Sequence, residues 1–177
     1  MQGGFINPEN IIKGLNIQPG GRIADFGSGS GYFTLIMARL AGEDGLVTAV
    51  DVLQNKLDTV QAAARAQGLL NINYIRADLE VEGGSQLADA SQDMVVLANI
   101  LFQSQKKAAM VKEAGRVLKP GGELVIIDCE PSSSFGPKDG GWKLSKEEAR
   151  NLVSGSFNLV KEIEVSSHHW GLLFKKK

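Results

Sequence analysis

Arg22-Ile-Ala-Asp-Phe-Gly-Ser-Gly-Ser-Gly-Tyr-Phe-Thr34 decides how the rest of the chain is read. Arg22 to Asp25 form a short, mostly apolar run ending in a carboxylate, which reads as a buried strand. Gly27, Gly29 and Gly31 follow at alternate positions, where the missing Cβ permits positive φ and lets a ligand approach bare backbone. From Tyr32 the period changes. Phe33, Ile36, Met37 and Leu40 recur every three or four residues, the mark of an amphipathic helix. Strand, glycine turn and helix make the first crossover of a doubly wound sheet, with its ligand beyond the strand's carboxyl end.

The glycine spacing excludes two familiar ligands. A dinucleotide turn wants G-x-G-x-x-G, but counting from Gly27 the third glycine falls on Tyr32, and counting from Gly29 it falls on Thr34. A P-loop wants Gly-Lys-Ser/Thr after the turn, and none follows. Asp25 also sets a negative charge beside the turn, which disfavours a pyrophosphate and suits an ammonium or sulfonium.

Composition narrows the class further. A chain of 177 residues with 43% apolar content is one globular domain, residues 1–177, with room for a layered core. Twenty acidic against 19 basic residues give a formal net charge of −1, no footprint for bulk nucleic acid. Lys175-Lys176-Lys177 reads as a solvated tail. The single cysteine, Cys129, provides neither an internal disulfide nor a multi-thiolate metal site, so a reducing, cytoplasmic setting and no metal are expected. No signal peptide is visible after Met1, and no apolar run approaches the ~20 residues of a membrane span.

Along the chain, Asn7-Pro8-Glu9 opens a first helix, and residues 1–19 could form a lid. Strands are expected at Leu46–Val50, Ile72–Arg76, Ser91–Leu97 and Glu123–Asp128, the first ending in Asp51 and the second near Asp78. Helices are expected over Gln54–Gln67 and Ser104–Leu118, the latter stopped by Lys119-Pro-Gly-Gly122. Residues 131–142 form a long turn-rich loop on the substrate side, and Ser145-Lys-Glu-Glu148 is a capping box opening another helix. Phe157–Val165 and His169–Lys175 close the chain as an antiparallel hairpin. The alternation predicts an α/β fold: a doubly wound, three-layer, Rossmann-like sheet of about seven strands, mostly parallel, with the terminal strand antiparallel.

D-x-G-x-G-x-G before an aromatic residue resembles motif I of the class I S-adenosylmethionine (SAM)-dependent methyltransferases. Asp51, Asp78, the Asp93–Asn99 strand and Leu118-Lys-Pro-Gly-Gly122 stand where that family places its later motifs, so the resemblance covers nearly the whole chain. It is similar above all to small single-domain members of the type 11 or ubiquinone-biosynthesis kind. The resemblance implies SAM as cofactor. It sets Gly27, Ser28, Gly29 and Gly31 against the methionine and ribose, with Asp25 toward the ammonium. Asp51 takes the ribose hydroxyls, Val52 and Leu53 the adenine face, Asp78 and the Leu79 N–H the adenine edge, and Asn99 the methionine end.

The acceptor is less constrained. No Asn/Asp-Pro-Pro-Tyr/Phe motif begins at Asn99, and one cysteine does not support two-thiol cytosine or arsenite chemistry. A small molecule is the first expectation, methylated by in-line displacement. An RNA or protein substrate is the second, served by Lys106, Lys107, Lys112 and Lys119; a catalytically inactive SAM-binding sensor or partner subunit is the third. Phe5-Ile-Asn-Pro8, the loop after the fifth strand and His168-His169-Trp170 are expected to converge on the acceptor. His169 is the candidate base, ahead of His168 and Asp128.

Overall fold

The computed structural model describes residues 7–133 and 143–177. Among them the chain runs through α1 (Pro8–Lys13), β1 (Arg22–Phe26), α2 (Tyr32–Ala41), β2 (Leu46–Asp51), α3 (Gln54–Ala66) and β3 (Ile72–Arg76). It continues through β4 (Gln92–Ala98), a single 3-10 turn at Leu101–Gln103, α4 (Lys107–Val117), β5 (Leu118–Cys129), α5 (Lys146–Val153), β6 (Phe157–Ser166) and β7 (His169–Lys176). Local chemistry sets several boundaries. The Asn7 carboxamide accepts from the N–H groups of Glu9 and Asn10 ahead of Pro8, and Ser145 with Glu148 closes a reciprocal capping box on α5.

The seven strands form one sheet in the order β3-β2-β1-β4-β5-β7-β6. β1 to β5 are parallel, and β7 runs antiparallel to both β5 and β6. Alternate residues of each strand enter opposite layers. Ile23, Val47, Ala49, Met94 and Val96 pack under α1, α2 and α3 through Ile11, Ile12, Met37 and Leu57. Ala24, Phe26, Val95, Leu97 and Leu124 pack under α4 and α5 through Val111, Ala114, Val117 and Ala149. Burial on both faces explains why these strands read as near-continuous apolar runs. Trp170 anchors the second layer, almost fully buried, with its indole N–H donating to the Leu144 carbonyl at 3.0 Å.

Two boundaries differ from the sequence reading. β5 begins at Leu118, because Leu118 pairs with Gln92 before the register shifts toward Met94–Glu123; α4 ends at Val117, just ahead of Lys119-Pro-Gly-Gly122, and that stretch is drawn into an irregular strand. α4 begins at Lys107, after the 3-10 turn and Ser104. Ile11 and Ile12 seat α1 in the core beside α2. Of the segments expected near the acceptor, Phe5-Ile6 and residues 134–142 lie outside the described residues.

The strand order reverses between β1 and β4. The chain leaves β1 toward β2 and β3, then returns to lay β4 on the other side. At that switch point the turns beyond the carboxyl ends splay apart and leave a crevice.

Candidate functional site

The crevice is a cleft of about 620 Å³. The glycine turn forms one wall, pulled over β2 by the N–H groups of Gly27 and Ser28, which donate to the Val50 carbonyl at 2.8 and 3.1 Å. Gly27 has φ +77°, and a Cβ there would lie 2.3 Å from Ile100 Cδ1 on the facing turn after β4. A residue with a side chain at position 27 would therefore displace the Ile100 side chain and adopt a strained positive φ.

Asp51 ends β2 at the centre of the cleft, 9% exposed. Its Oδ2 accepts from the Gly29 N–H at 3.0 Å and its Oδ1 from the Leu53 N–H at 2.9 Å. The carboxylate is thus held rigidly by backbone, and each oxygen keeps a second lone pair for a ligand. Val52 and Leu53 stand half-exposed beside it, an apolar shelf. Across the shelf Asp78 lines the far end; its Oδ1 accepts from the Glu80 N–H at 2.8 Å, with Leu79 buried behind.

Two side-chain oxygens at this edge are buried and unpartnered among the described residues: Ser28 Oγ and Asn99 Oδ1. Buried polar atoms are nearly always paired, because an orphan forfeits its hydration without replacement. Asn99 is itself held in place. It has φ +55°, its N–H donates to the Ile127 carbonyl at 2.8 Å, and its carbonyl accepts from Gln103 Nε2 at 2.6 Å. The carboxamide oxygen of Asn99 belongs to a residue of the cleft wall, whereas the Ser28 hydroxyl is buried in the glycine turn beside it.

Gly27, Gly29, Asp51, Val52, Asp78, Leu79 and Asn99 come together in the cleft, as read from the sequence except for the unassigned walls around them. Asp25, Ser28 and Gly31 are not in its lining. Asp25 sits beneath the turn, 2% exposed, with Oδ2 accepting the Thr34 hydroxyl of α2 at 2.5 Å. Burial pushes its carboxyl up to about 6 against the lowering bonds from Thr34, and the Asp51 charge adds to the rise. Gly31 caps α2 at φ +82°, and a Cβ there would lie 2.8 Å from Val60 Cγ2, so it serves packing against α3.

His169 opens β7 on the same edge, opposite Cys129, but does not line the cleft. Its Nδ1 lies 3.1 Å from Ser166 Oγ, and burial, then the neighbouring His168, lower its pKa. Asp128 is fully buried; its oxygens accept from the N–H groups of Phe102 and Cys129, and burial raises its carboxyl to about 6 despite them. The lysines of the possible polymer-binding face are engaged. Lys106 meets Glu80 at 3.7 Å, Lys112 meets Glu82 at 3.0 Å, Lys119 meets Asp93 at 2.6 Å, and Lys107 Nζ donates to the Ser104 carbonyl. Among the described residues no group of three or more His, Cys, Asp or Glu could hold a metal, and no helix is long and apolar enough to cross a membrane.

Sequence reading missed Ser30, Lys56, Ala77, Glu80, Ile100, Gln103, Ser104 and Met110 in the lining. Met110 had a signal, since it lies on the apolar side of α4; the others required the fold.

The comparisons with known proteins bear on the family and the fold. A family profile described as a methyltransferase domain matches residues 17–176. The chain is 34% identical over 113 residues to an arsenite methyltransferase of Aquipseudomonas alcaligenes, covering 62% of this chain and 33% of that protein. It is 30% identical over 118 residues to the ubiquinone/menaquinone biosynthesis C-methyltransferase of Shewanella pealeana, covering 66% of this chain and 46% of that protein. The matched stretch thus spans less than half the length of either relative. The structure of a SAM-dependent methyltransferase from Aquifex aeolicus superposes with a TM-score of 0.85 over 97% of this chain and 90% of that one, at 22% identity.

Proposed function

The chain belongs to the methyltransferase-domain family, in the class I SAM-dependent group, and from that premise we propose that it methylates a small-molecule acceptor. The observation that carries the reading is Asp51, a strand-end carboxylate fixed by two backbone N–H groups and flanked by the unpartnered Ser28 Oγ and Asn99 Oδ1. SAM presents a ribose diol, an amino-acid end and an adenine. The spare lone pairs of Asp51 accept from the diol. Asn99 Oδ1 accepts from the ammonium, and the Ser28 hydroxyl donates to the carboxylate. Val52 and Leu53 cover one face of the adenine, Asp78 accepts from its exocyclic amine and the Leu79 N–H serves a ring nitrogen. Asp25 acts from below, bracing the turn against α2 through Thr34.

The cofactor supplies an electrophilic methyl group on sulfur, so the chain's task is to align it with a nucleophile and exclude water. His169, on the same strand-end side but outside the cleft lining, is the candidate to take a proton from an acceptor that must lose one; burial and His168 lower its pKa and favour the neutral imidazole. The small acceptor is favoured because the basic face is already engaged by Glu80, Glu82 and Asp93. The relatives named for arsenite and quinone methylation act on small molecules by their names. Arsenite itself is disfavoured here: Cys129 is the only cysteine of the chain, buried, with its thiol pushed up by burial and by Asp128.

Titration calorimetry tests the reading. SAM and its demethylated product should bind at one site per chain in the micromolar range, about −8 kcal/mol at 1 µM, with NAD silent. Asp51→Ala should weaken SAM by about 2 kcal/mol, since the ribose loses a charged acceptor. Unchanged affinity in a folded Asp51→Ala protein removes the ribose role. Labelled SAM offered with small-molecule, RNA and protein acceptors then separates the substrate classes, and His169→Ala should slow turnover while SAM affinity holds.

A further inference from the structure

We propose that Glu113, on α4 and outside the cleft, is a positioning residue that sets the adenine-reading end of the site. The inference rests on the reading of Asp78 and Leu79 given above. The connection from β3 to β4, residues 77–91, carries no helix, so its backbone donors must find partners elsewhere. Glu113 supplies them. Its Oε2 accepts from the Gly83 N–H at 3.0 Å, and its Oε1 accepts from the Ser85 N–H at 3.0 Å and the Ser85 hydroxyl at 2.5 Å. Arg116 Nε and Nη2 clamp the same carboxylate at 2.9 and 2.7 Å, and Arg116 Nη1 reaches Asp89 at 2.5 Å. Glu113 is 2% exposed and Ser85 is fully buried. Burial alone would raise the Glu113 carboxyl, but the bonds from Arg116, Ser85 and Gly83 outweigh it and bring it down to about 2.

The two backbone donors held by Glu113 flank Gly84. A Cβ on Gly84 would lie 1.9 Å from the Asp78 carbonyl oxygen, so the loop is folded directly onto the backbone of Asp78. Fixing Gly83 and Ser85 therefore fixes the turn Asp78-Leu79-Glu80, in which Asp78 accepts from the Glu80 N–H and Glu80 accepts from the Ser104 hydroxyl at 2.6 Å. One helical turn before Glu113, Met110 lines the cleft directly. α4 thus sets two parts of the base end in one register: an apolar contact through Met110, and the Asp78 turn through Glu113.

The test is a ratio of affinities. S-adenosylhomocysteine and its inosine counterpart differ at the 6-position, where an amino donor becomes a carbonyl that a carboxylate repels. The wild type should prefer the adenosine ligand by about tenfold or more. Asp78→Ala should reduce the preference without abolishing it, because the inosine base also carries an N1–H where adenine has an acceptor for the Leu79 N–H. Glu113→Gln should lower the preference several-fold, and Ser85→Ala, which removes the hydroxyl's bonds with Glu113, the Leu87 N–H and Arg116 but keeps both backbone donors to Glu113, should lower it less. Asp89→Ala, which strips only the exposed partner of Arg116, should leave it intact. A merely structural role for Glu113 weakens both ligands equally and keeps the ratio. A wild-type ratio in both Glu113→Gln and Ser85→Ala, whatever their melting temperatures, overturns the inference. A wild type that does not distinguish the ligands, or an Asp78→Ala variant whose ratio equals that of the wild type, overturns the Asp78 reading instead.

Discussion

The two edges of the sheet both carry a cleft, and volume does not say which one binds. At the amino edge, Gln18–Gly21, Asp93 and Lys119–Glu123 enclose about 450 Å³, against about 620 Å³ at the carboxyl edge. The difference lies in the state of the polar groups. Asp93 is answered on both oxygens, by Lys119 Nζ at 2.6 Å and by the Arg22 N–H at 2.9 Å. Glycine N–H groups there are answered too, Gly21 by the Gln18 carbonyl in a local turn and Gly20 by the Ala41 carbonyl at the end of α2. At the carboxyl edge Ser28 Oγ and Asn99 Oδ1 remain unanswered, and Asp25 and Asp128 are buried at a cost to their ionised forms. One edge has satisfied its polar groups; the other leaves two buried oxygens unanswered among the described residues.

The largest expected effect sharpens that contrast through pH. The folded Asp25 carboxyl titrates near 6 against an ordinary 3.8, so the native state holds a proton that the unfolded chain releases between those values. The stability this group contributes is fully present below about 3.8 and lost as pH rises through about 6, a change of about 3 kcal/mol. Asp128 acts in the same direction, whereas Asp93 does the opposite. Burial pushes Asp93 up, but the bonds from Lys119 and Arg22 hold it below its ordinary value, so its contribution is lost as pH falls. Asp25→Asn keeps an acceptor for Thr34 and removes the titration. Urea unfolding at pH 4.5 and 7.5 should show a flatter pH dependence than wild type and greater stability at pH 7.5. An unchanged slope would mean that Asp25 is not the strained carboxylate.

What could be read in advance divides along physical lines. The Asn7 cap, the Ser145–Glu148 capping box, the glycine turn and the strand-end acids announce themselves because their chemistry is local, within a few residues. The parallel sheet followed from apolar runs alternating with helical periods. Glu113 could not be found that way: beside Lys112 and Arg116 it looks like one charge of a solvated helix, and its donors lie about thirty residues upstream. The same holds for Gly31, whose need for no side chain comes from Val60 on another helix. Lys119-Pro-Gly-Gly122 follows the end of α4 as its composition suggests, but the early start of β5 comes from the pairing of Leu118 with Gln92, which no local signal carries. Asp25 was placed correctly along the chain, yet its partner, Thr34, turns it away from the cleft.

A smaller effect breaks the contrast if it fails. Ser28→Ala deletes a buried hydroxyl that has no protein partner, so the unliganded protein should lose nothing and gain up to about 1 kcal/mol. SAM affinity should fall by about 1 kcal/mol, roughly fivefold, because the donor to the ligand's carboxylate is gone. Stability and affinity moving in opposite directions is the signature of an atom kept for a ligand. Thermal melts and calorimetry on the same preparation read both. A parallel loss of both would make Ser28 an ordinary structural residue.

The smallest effect belongs to the self-satisfied edge. Lys119→Ala breaks the pair with Asp93, whose side chains are 42% and 45% exposed. A pair so open to water contributes between zero and about 1 kcal/mol, and Asp93 still keeps the Arg22 N–H. The melting temperature should therefore drop slightly at low salt. At about 1 M salt, where the screening length shrinks to ~3 Å, the difference from wild type should vanish. SAM affinity should not change at either salt concentration, because the strands separate this cleft from the switch point by the full depth of the sheet. A Lys119→Ala protein that binds SAM less tightly would show the two edges to be coupled, and would count against locating ligand recognition by unanswered polar atoms alone.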